Sequence, residues 1–122
     1  MIFKMLLITG FLVLCVSAHA DMLYTPTLWA VKPDALACNL TNVSSKTRNV
    51  KVRIINNGKV LLRSERIRLA PRHTTDHFVE GLDEGGPIYC EFSVEGDKKH
   101  FRGAAKLFVF PNSSDFVAIA AE

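Results

Sequence analysis

Short stretches of alternating apolar and polar residues recur along the chain after residue 20. The clearest are residues 36–41 (LACNLT) and 88–95 (IYCEFSVE). The apolar members are Leu36, Cys38 and Leu40 in the first stretch and Ile88, Cys90, Phe92 and Val94 in the second. Because successive side chains of an extended chain point to opposite faces, a two-residue repeat predicts a half-buried β-strand.

Further strands are predicted between and after these two stretches. They fall at residues 48–55, 59–63, 66–69 and 75–80. Asn57-Gly58 lies between the first two of them and predicts a type I′ hairpin turn, since both central residues of that turn need a positive φ. No helix of useful length is predicted after residue 20. About seven to eight short strands with regular turns are typical of an all-β antiparallel sandwich.

The last third of the chain predicts a three-stranded antiparallel meander over residues 88–120. With residues 96–99 as a loop, Val94 lies opposite Phe101, and each pair on that side is apolar or small. Residues 111–115 form the second turn, which places Leu107 opposite Ile119. This register points one face of the meander to the core and the other to solvent.

The first twenty residues have the layout of a secretory signal peptide. Lys4 forms a basic n-region, residues 5–17 are almost wholly apolar, and Ala18-His19-Ala20 is an A-x-A cleavage site. The apolar run is shorter than the roughly 18 residues of a spanning helix. Cleavage after Ala20 leaves residues 21–122 as a single domain without a transmembrane segment, located in the periplasm or secreted. Loss of Lys4 lowers the net charge from +3 to +2.

Two cysteines remain after cleavage, Cys38 and Cys90, in a chain directed to an oxidising compartment. This count favours a single structural disulfide over a nucleophile or a metal ligand. The bridge closes a loop of 90 − 38 = 52 residues, for which chain entropy gives about 4 kcal/mol of stability. Both cysteines lie on the apolar faces of their strands, so the bridge is expected to join two sheets through the core.

An early and a late cysteine on inner faces make the plan resemble the immunoglobulin-like fold, with Cys38 on a B-like strand and Cys90 on an F-like strand. The resemblance covers residues 21–122 and concerns architecture alone. Two antibody features are absent. Ile88 occupies the position of the tyrosine that precedes the second cysteine by two residues, and Trp29 precedes Cys38 instead of following it.

Candidate catalytic and metal-binding residues are few. His73 and His77 are four residues apart, but Pro71 and the residues that follow it predict a turn into a strand, where no third ligand is evident. The chain lacks the G-x-S-x-G, H-E-x-x-H and Gly-rich phosphate-loop motifs. We therefore expect neither a cofactor nor a metal, and we expect a protein that is not an enzyme.

Basic residues crowd into one short region. They are Arg63, Arg66, Arg68 and Arg72, with Lys51 and Arg53 on the neighbouring hairpin. Such a stripe is either the solvated outer face of strands, where cations discourage edge pairing, or a contact surface for an anionic partner.

Three phenylalanines, Phe108, Phe110 and Phe116, point outward if the meander has the register given above. Residues 23–31, with Leu28 and Trp29, could fold over them, or a bulge near Gly103 could exchange the faces. The remaining interpretation is a docking site for a partner or for a second copy of the chain in a homodimer.

These features together predict an exported, non-catalytic binding or structural module. Its expected partner is a protein or a surface glycan, and export argues against nucleic acid. One alternative is a small secreted inhibitor that acts through the loop at residues 80–87. Another is a small hydrolase, whose active site would be assembled from residues scattered in the sequence.

Overall fold

A computed structural model describes residues 20–109 and 116–122 of the chain. Ten β-strands form two antiparallel sheets, and the described residues contain no α-helix. Two of the strands, Leu28–Ala30 and Ile67–Leu69, are only three residues long. The predicted all-β sandwich is confirmed.

Sheet A contains six strands. They are β1 (Ala20–Tyr24), β2 (Leu28–Ala30), β4 (Arg48–Asn56), β5 (Lys59–Arg63), β6 (Ile67–Leu69) and β8 (Gly86–Glu95). The order is β1-β8-β4-β5, with β2 also beside β8 and β6 also beside β4. The long strands β4 and β8 therefore form the centre of the sheet.

Sheet B contains four strands. They are β3 (Ala35–Asn42), β7 (Thr74–Val79), β9 (Phe101–Phe108) and β10 (Phe116–Ala120), in the order β10-β9-β3-β7. One 3-10 turn, Lys98–His100, precedes β9 and carries the chain from sheet A to sheet B.

The core lies between the sheets and follows the two-residue repeat of the sequence. Alternate residues of β3 and β8 have no more than 1% of their surface exposed. They are Leu36, Cys38 and Leu40 in β3 and Ile88, Cys90, Phe92 and Val94 in β8. The Cys38–Cys90 disulfide joins the two sheets across this core, with 5.9 Å between the Cα atoms, as predicted.

The predicted hairpin between β4 and β5 is also confirmed. Asn57 and Gly58 have φ values of 52° and 76°, the positive values that a type I′ turn requires. The turn sets the register in which Asn56 lies opposite Lys59.

The predicted hairpin between residues 88–95 and the strand that follows is wrong. β9 pairs with β3 and β10 in sheet B, whereas β8 pairs with β4, β1 and β2 in sheet A. The five residues between Glu95 and Phe101 arch from one sheet to the other, so Val94 and Phe101 both face the core without being paired. The β9–β10 pairing exists, but its register is displaced by two residues, because Leu107 lies opposite Val117 instead of Ile119.

The two cysteines keep the placement of an immunoglobulin-like sandwich, since β3 and β8 belong to opposite sheets. The strand order differs at both ends of the chain. In the immunoglobulin plan the first strand lies in the sheet of the first cysteine, and the strand that follows the second cysteine's strand lies beside it. Here β1 and β2 pair with β8, whereas β9 pairs with β3.

Candidate basic and aromatic binding face

The outer face of sheet A carries five cationic side chains, which we call the basic face. They are Lys51 and Arg53 of β4, Arg63 of β5, and Arg66 and Arg68 in and beside β6. Their positions follow from strand alternation, because Val50, Val52 and Ile54 of β4 turn into the core. Sequence reasoning predicted that these residues belong to one basic region, and the structure places them on a single sheet surface.

Cross-strand pairing sets the contacts within this face. Arg53 lies opposite Glu91 of β8 on one side and opposite Arg63 of β5 on the other. Nε of Arg53 donates to Oε1 of Glu91 at 2.9 Å, and Nη2 of Arg53 donates to the same oxygen. Glu91 is almost fully buried, with 7% of its surface exposed. The buried carboxylate of Glu91 therefore pairs with Arg53, and the cross-strand neighbour of Arg63 is another cation, Arg53 itself.

The second acid on this surface, Glu95, is also engaged. Its Oε2 accepts a hydrogen bond of 2.8 Å from Nδ2 of Asn49. By contrast, Lys51, Arg63, Arg66 and Arg68 form no side-chain hydrogen bond or ion pair with any described residue. The surface therefore has an excess of 5 − 2 = +3 charges over these seven residues, as large as the net charge of the whole chain.

Two shallow open depressions lie side by side on the basic face. The first, of about 290 Å³, is lined by Asn49, Lys51, Arg66, Ser93 and Glu95 among others. The second, of about 370 Å³, is lined by Met22, Lys51, Arg53, Arg63, Ser64, Glu91 and Ser93. Lys51 and Ser93 lie on the boundary between them. The two depressions thus present cations, hydroxyls and an amide beside apolar side chains such as Met22 and Val94.

Arg72, the fourth arginine of the predicted stripe, lies apart from the other three. It occupies the turn between β6 and β7, where its φ is 63° and its N–H donates to the carbonyl of Asn42 in sheet B. Its side chain is exposed at that end of the sandwich and lines neither depression.

Three aromatic side chains extend the same surface beyond the cations. We call Tyr24, Trp29 and Tyr89 the aromatic strip. Tyr24 lies opposite Glu91, next to the Arg53 pair, and its ring centroid is 6.4 Å from that of Tyr89. Trp29 lies opposite Pro87, which is two residues before Tyr89 in β8. Trp29 is 72% exposed and Tyr24 is 46% exposed.

The aromatic strip was not predicted from the sequence, although the alternation of apolar and polar residues gave part of the information. The alternation of residues 88–95 already puts Tyr89 on the polar side with Glu91. Trp29 gave no such signal, because β2 is only three residues long and an exposed tryptophan runs against the usual burial of that residue.

The predicted phenylalanine patch lies on the other sheet. Phe108 is on the outer face of sheet B, half-buried, and packs edge-to-face on Phe78 of β7 with ring centroids 5.8 Å apart. Phe116 lies opposite Phe108, but its side chain, like the whole of Phe110, is outside the described residues.

Neither of the two explanations proposed for covering that patch holds. Residues 23–31 contribute β1 and β2 to sheet A, and Trp29 is exposed there, so the predicted cover over Phe108 is wrong. The register of β9 against β3 runs without a break through Gly103, so no bulge exchanges its faces.

The two histidines have local partners. Nδ1 of His73 is 3.1 Å from the carbonyl of Pro71, and Nε2 of His77 is 3.0 Å from Oγ1 of Thr75. Burial lowers the pKa of His77, and the charge of Asp76 opposes that shift. Within the described residues, no three His, Cys, Asp or Glu side chains converge as a metal site requires.

The loop at residues 80–87 is attached to the rest of the fold at several points. Leu82 is buried, and its N–H donates to the carbonyl of Asp34. Asn57 donates from Nδ2 to the carbonyl of Gly85 at 2.8 Å, and Lys59 pairs with Glu84 at 3.4 Å. The exposed part of the loop is acidic, with Glu80, Asp83 and Glu84.

Comparison with known proteins found no matching family model, no matching curated protein and no matching solved structure. In the part of the chain that the structure describes, no helix is both long enough and apolar enough to cross a membrane. The disulfide is compatible with a location outside the reducing cytosol.

Proposed function

We propose that this protein is an exported, non-catalytic binding module that uses the basic face of sheet A to hold an anionic partner. The main support for the proposal is the way in which the acidic and basic side chains on that surface are paired. Both of its acids are engaged with neighbouring side chains, while four of its five cations have no partner among the described residues. Unpaired cations on a concave surface raise the local concentration of anions and bind them in a salt-dependent way.

Export is part of the proposal and rests on residues 1–20, of which residues 1–19 lie outside the described part of the structure. Ala20 lines the first depression. Cleavage after Ala20 would place the new α-ammonium group of Asp21 at its edge and add one more positive charge.

The inhibitor alternative is less well supported. A loop that inserts into another protein's site needs projecting side chains, whereas the apolar residue of this loop, Leu82, is turned inward and buried. The hydrolase alternative is less well supported, because the rings of His73 and His77 hydrogen-bond to a neighbouring carbonyl and a threonine hydroxyl, not to an acid.

A second interaction is favoured by the outer face of sheet B. Phe78 is 46% exposed and contacts Phe108 on a surface whose neighbouring strand positions are Ala35 and Ala37. This surface of phenylalanine rings and small residues, which also carries Lys106 opposite Ala37, is where the predicted homodimer would form. Sedimentation equilibrium of the wild type and of Phe78→Ser tests it, since a monomeric wild type would contradict the dimer.

The binding proposal is tested by retention of the exported protein on a sulfated-dextran resin. We expect the wild type to be retained at low ionic strength and released by salt. The double variant Arg63→Gln/Arg66→Gln should elute at a clearly lower salt concentration.

The matched control is Lys98→Gln/Lys99→Gln. It removes the same two charges from exposed positions in the 3-10 turn, and neither lysine lines the two depressions of the basic face. Equal loss of retention in both double variants would mean that only net charge matters, and the proposed site would be wrong.

A further inference from the structure

The basic face and the aromatic strip form one continuous surface along β8. The outward residues of this strand alternate from Pro87 through Tyr89 and Glu91 to Ser93. At about 3.3 Å per residue, the path from Pro87 to Ser93 is about 20 Å long. Any ligand that lies along this path contacts rings at one end and cations at the other.

We propose that the ligand of this surface is an acidic polysaccharide, a chain of sugar rings that carry carboxylates. The inference rests on the proposed function and names its substrate class. The carboxylates pair with the cations, and the aromatic strip packs against the C–H faces of the rings, since an aromatic face is electron-rich and attracts weakly positive C–H groups.

The chemistry of the cations fits carboxylates. Arg53 already holds a carboxylate on this surface through two of its nitrogen atoms. Arg63 lies directly opposite Arg53 and has no acid among the described residues. A ligand carboxylate beside Arg63 would repeat the arrangement that the protein itself makes between Arg53 and Glu91, with charge-assisted hydrogen bonds.

The placement of the aromatic rings favours a glycan over an acidic protein. Protein interfaces concentrate their Trp and Tyr anchors near the centre, inside a polar rim. Here Lys51, Ser64 and Ser93 line the depressions, and the rings lie at one end of the surface. Hydroxyl-rich sugars can hydrogen-bond to such side chains and still cover the exposed tryptophan.

The backbone that carries Tyr24 of the aromatic strip is held in place before any ligand binds. The backbone of Tyr24 exchanges two hydrogen bonds of 3.1 Å with Glu122 near the end of the chain. The next residue, Thr25, is buried, and its Oγ1 accepts a hydrogen bond of 2.8 Å from the N–H of Cys90. A backbone fixed in this way loses little conformational entropy on binding, which favours affinity.

The test compares two polyanions that carry carboxylates at similar density. One is an oligogalacturonide, which consists of sugar rings, and the other is poly-glutamate, which has none. Calorimetry at low ionic strength gives the affinities. Emission from Trp29, the single tryptophan of the chain, reports whether the ligand reaches the aromatic strip.

We expect the oligogalacturonide to bind about tenfold more tightly than poly-glutamate and to shift Trp29 emission to the blue. Trp29→Ala should weaken oligogalacturonide binding about tenfold, the scale of removing one aromatic anchor from a binding surface, and leave poly-glutamate binding unchanged. Val43→Ala, which truncates an exposed apolar side chain just beyond the end of β3 in sheet B, should change neither affinity.

The results that overturn the inference differ from those that overturn the proposed function. Equal affinity for the two polymers, an unchanged Trp29 emission, or no effect of Trp29→Ala would contradict the polysaccharide and indicate an acidic protein segment, with the basic face still in use. Failure of both polymers to bind at low ionic strength would contradict the binding role of the basic face itself.

Discussion

Removal of the Cys38–Cys90 bridge tests the physical basis of the fold. The bond closes a 52-residue loop, and both cysteines are fully buried between the sheets. The chain-entropy relation gives about 4 kcal/mol for a loop of this length. A domain of about 100 residues has a total stability of about 5–15 kcal/mol, so the bridge accounts for a large share of it.

We therefore expect Cys38→Ala/Cys90→Ala to lower the free energy of unfolding by about 4 kcal/mol and the melting temperature by roughly 15–30 °C. The measurement is urea unfolding followed by far-UV circular dichroism. Tryptophan emission is a poor probe of unfolding here, because Trp29 is already 72% exposed in the folded protein.

Treatment with a reductant provides the control. It should lower the unfolding midpoint of the wild type and leave that of the double variant unchanged. A double variant that retains the wild-type stability to within about 1 kcal/mol would refute the argument from loop closure.

Two further predictions concern packing and pH. A Cβ atom on Gly103 would lie 2.9 Å from the ring of the fully buried Phe92. Gly103→Val should therefore lower the free energy of unfolding by about 1–3 kcal/mol in urea titrations. The control Ala104→Val, on the outer side of the same strand, should change that free energy little. Burial lowers the pKa of His77 in the folded protein below its ordinary 6.5, so the unfolded chain binds more protons near that pH. The neutral buried His77 therefore favours the folded state fully above pH 6.5, and this stability is lost as the pH falls from 6.5 through the lower pKa of the folded protein. The loss of stability between about pH 7.5 and about pH 5.5 should be smaller in His77→Gln, whose side chain can still hydrogen-bond to Thr75, and an equal loss in both proteins would contradict the assignment.

The two-residue pattern predicted which residues face the core but not which sheet they belong to. Phe92 and Phe101 both lie on inner faces, as the alternation requires, yet their strands are in opposite sheets. A hairpin and an arch between sheets bury the same alternating residues. Only long-range pairing, here of β9 with β3, distinguishes them, and a single sequence holds no direct record of it.

The candidate site could be predicted only where its residues lie in strands with regular alternation of apolar and polar positions. Arg63 and Arg68 flank the turn between β5 and β6, so their proximity follows from chain connectivity. The separation of Arg72 from the other three arginines was not predicted, because the chain turns there through a residue with positive φ and leaves sheet A. The exposure of Trp29 was not predicted either, because hydrophobicity alone favours burial, and this exposure follows from the position of β2 at the edge of the sheet.

The central claim is that an anionic ligand binds to the outer face of sheet A. The most direct measurement is the change in backbone amide NMR shifts as a short oligogalacturonide is added to the isotope-labelled protein. We predict that the changes concentrate at Lys51, Arg53, Arg63 and Ser93 and extend to Tyr89. Changes confined to sheet B, or to the loop at residues 80–87, would contradict it.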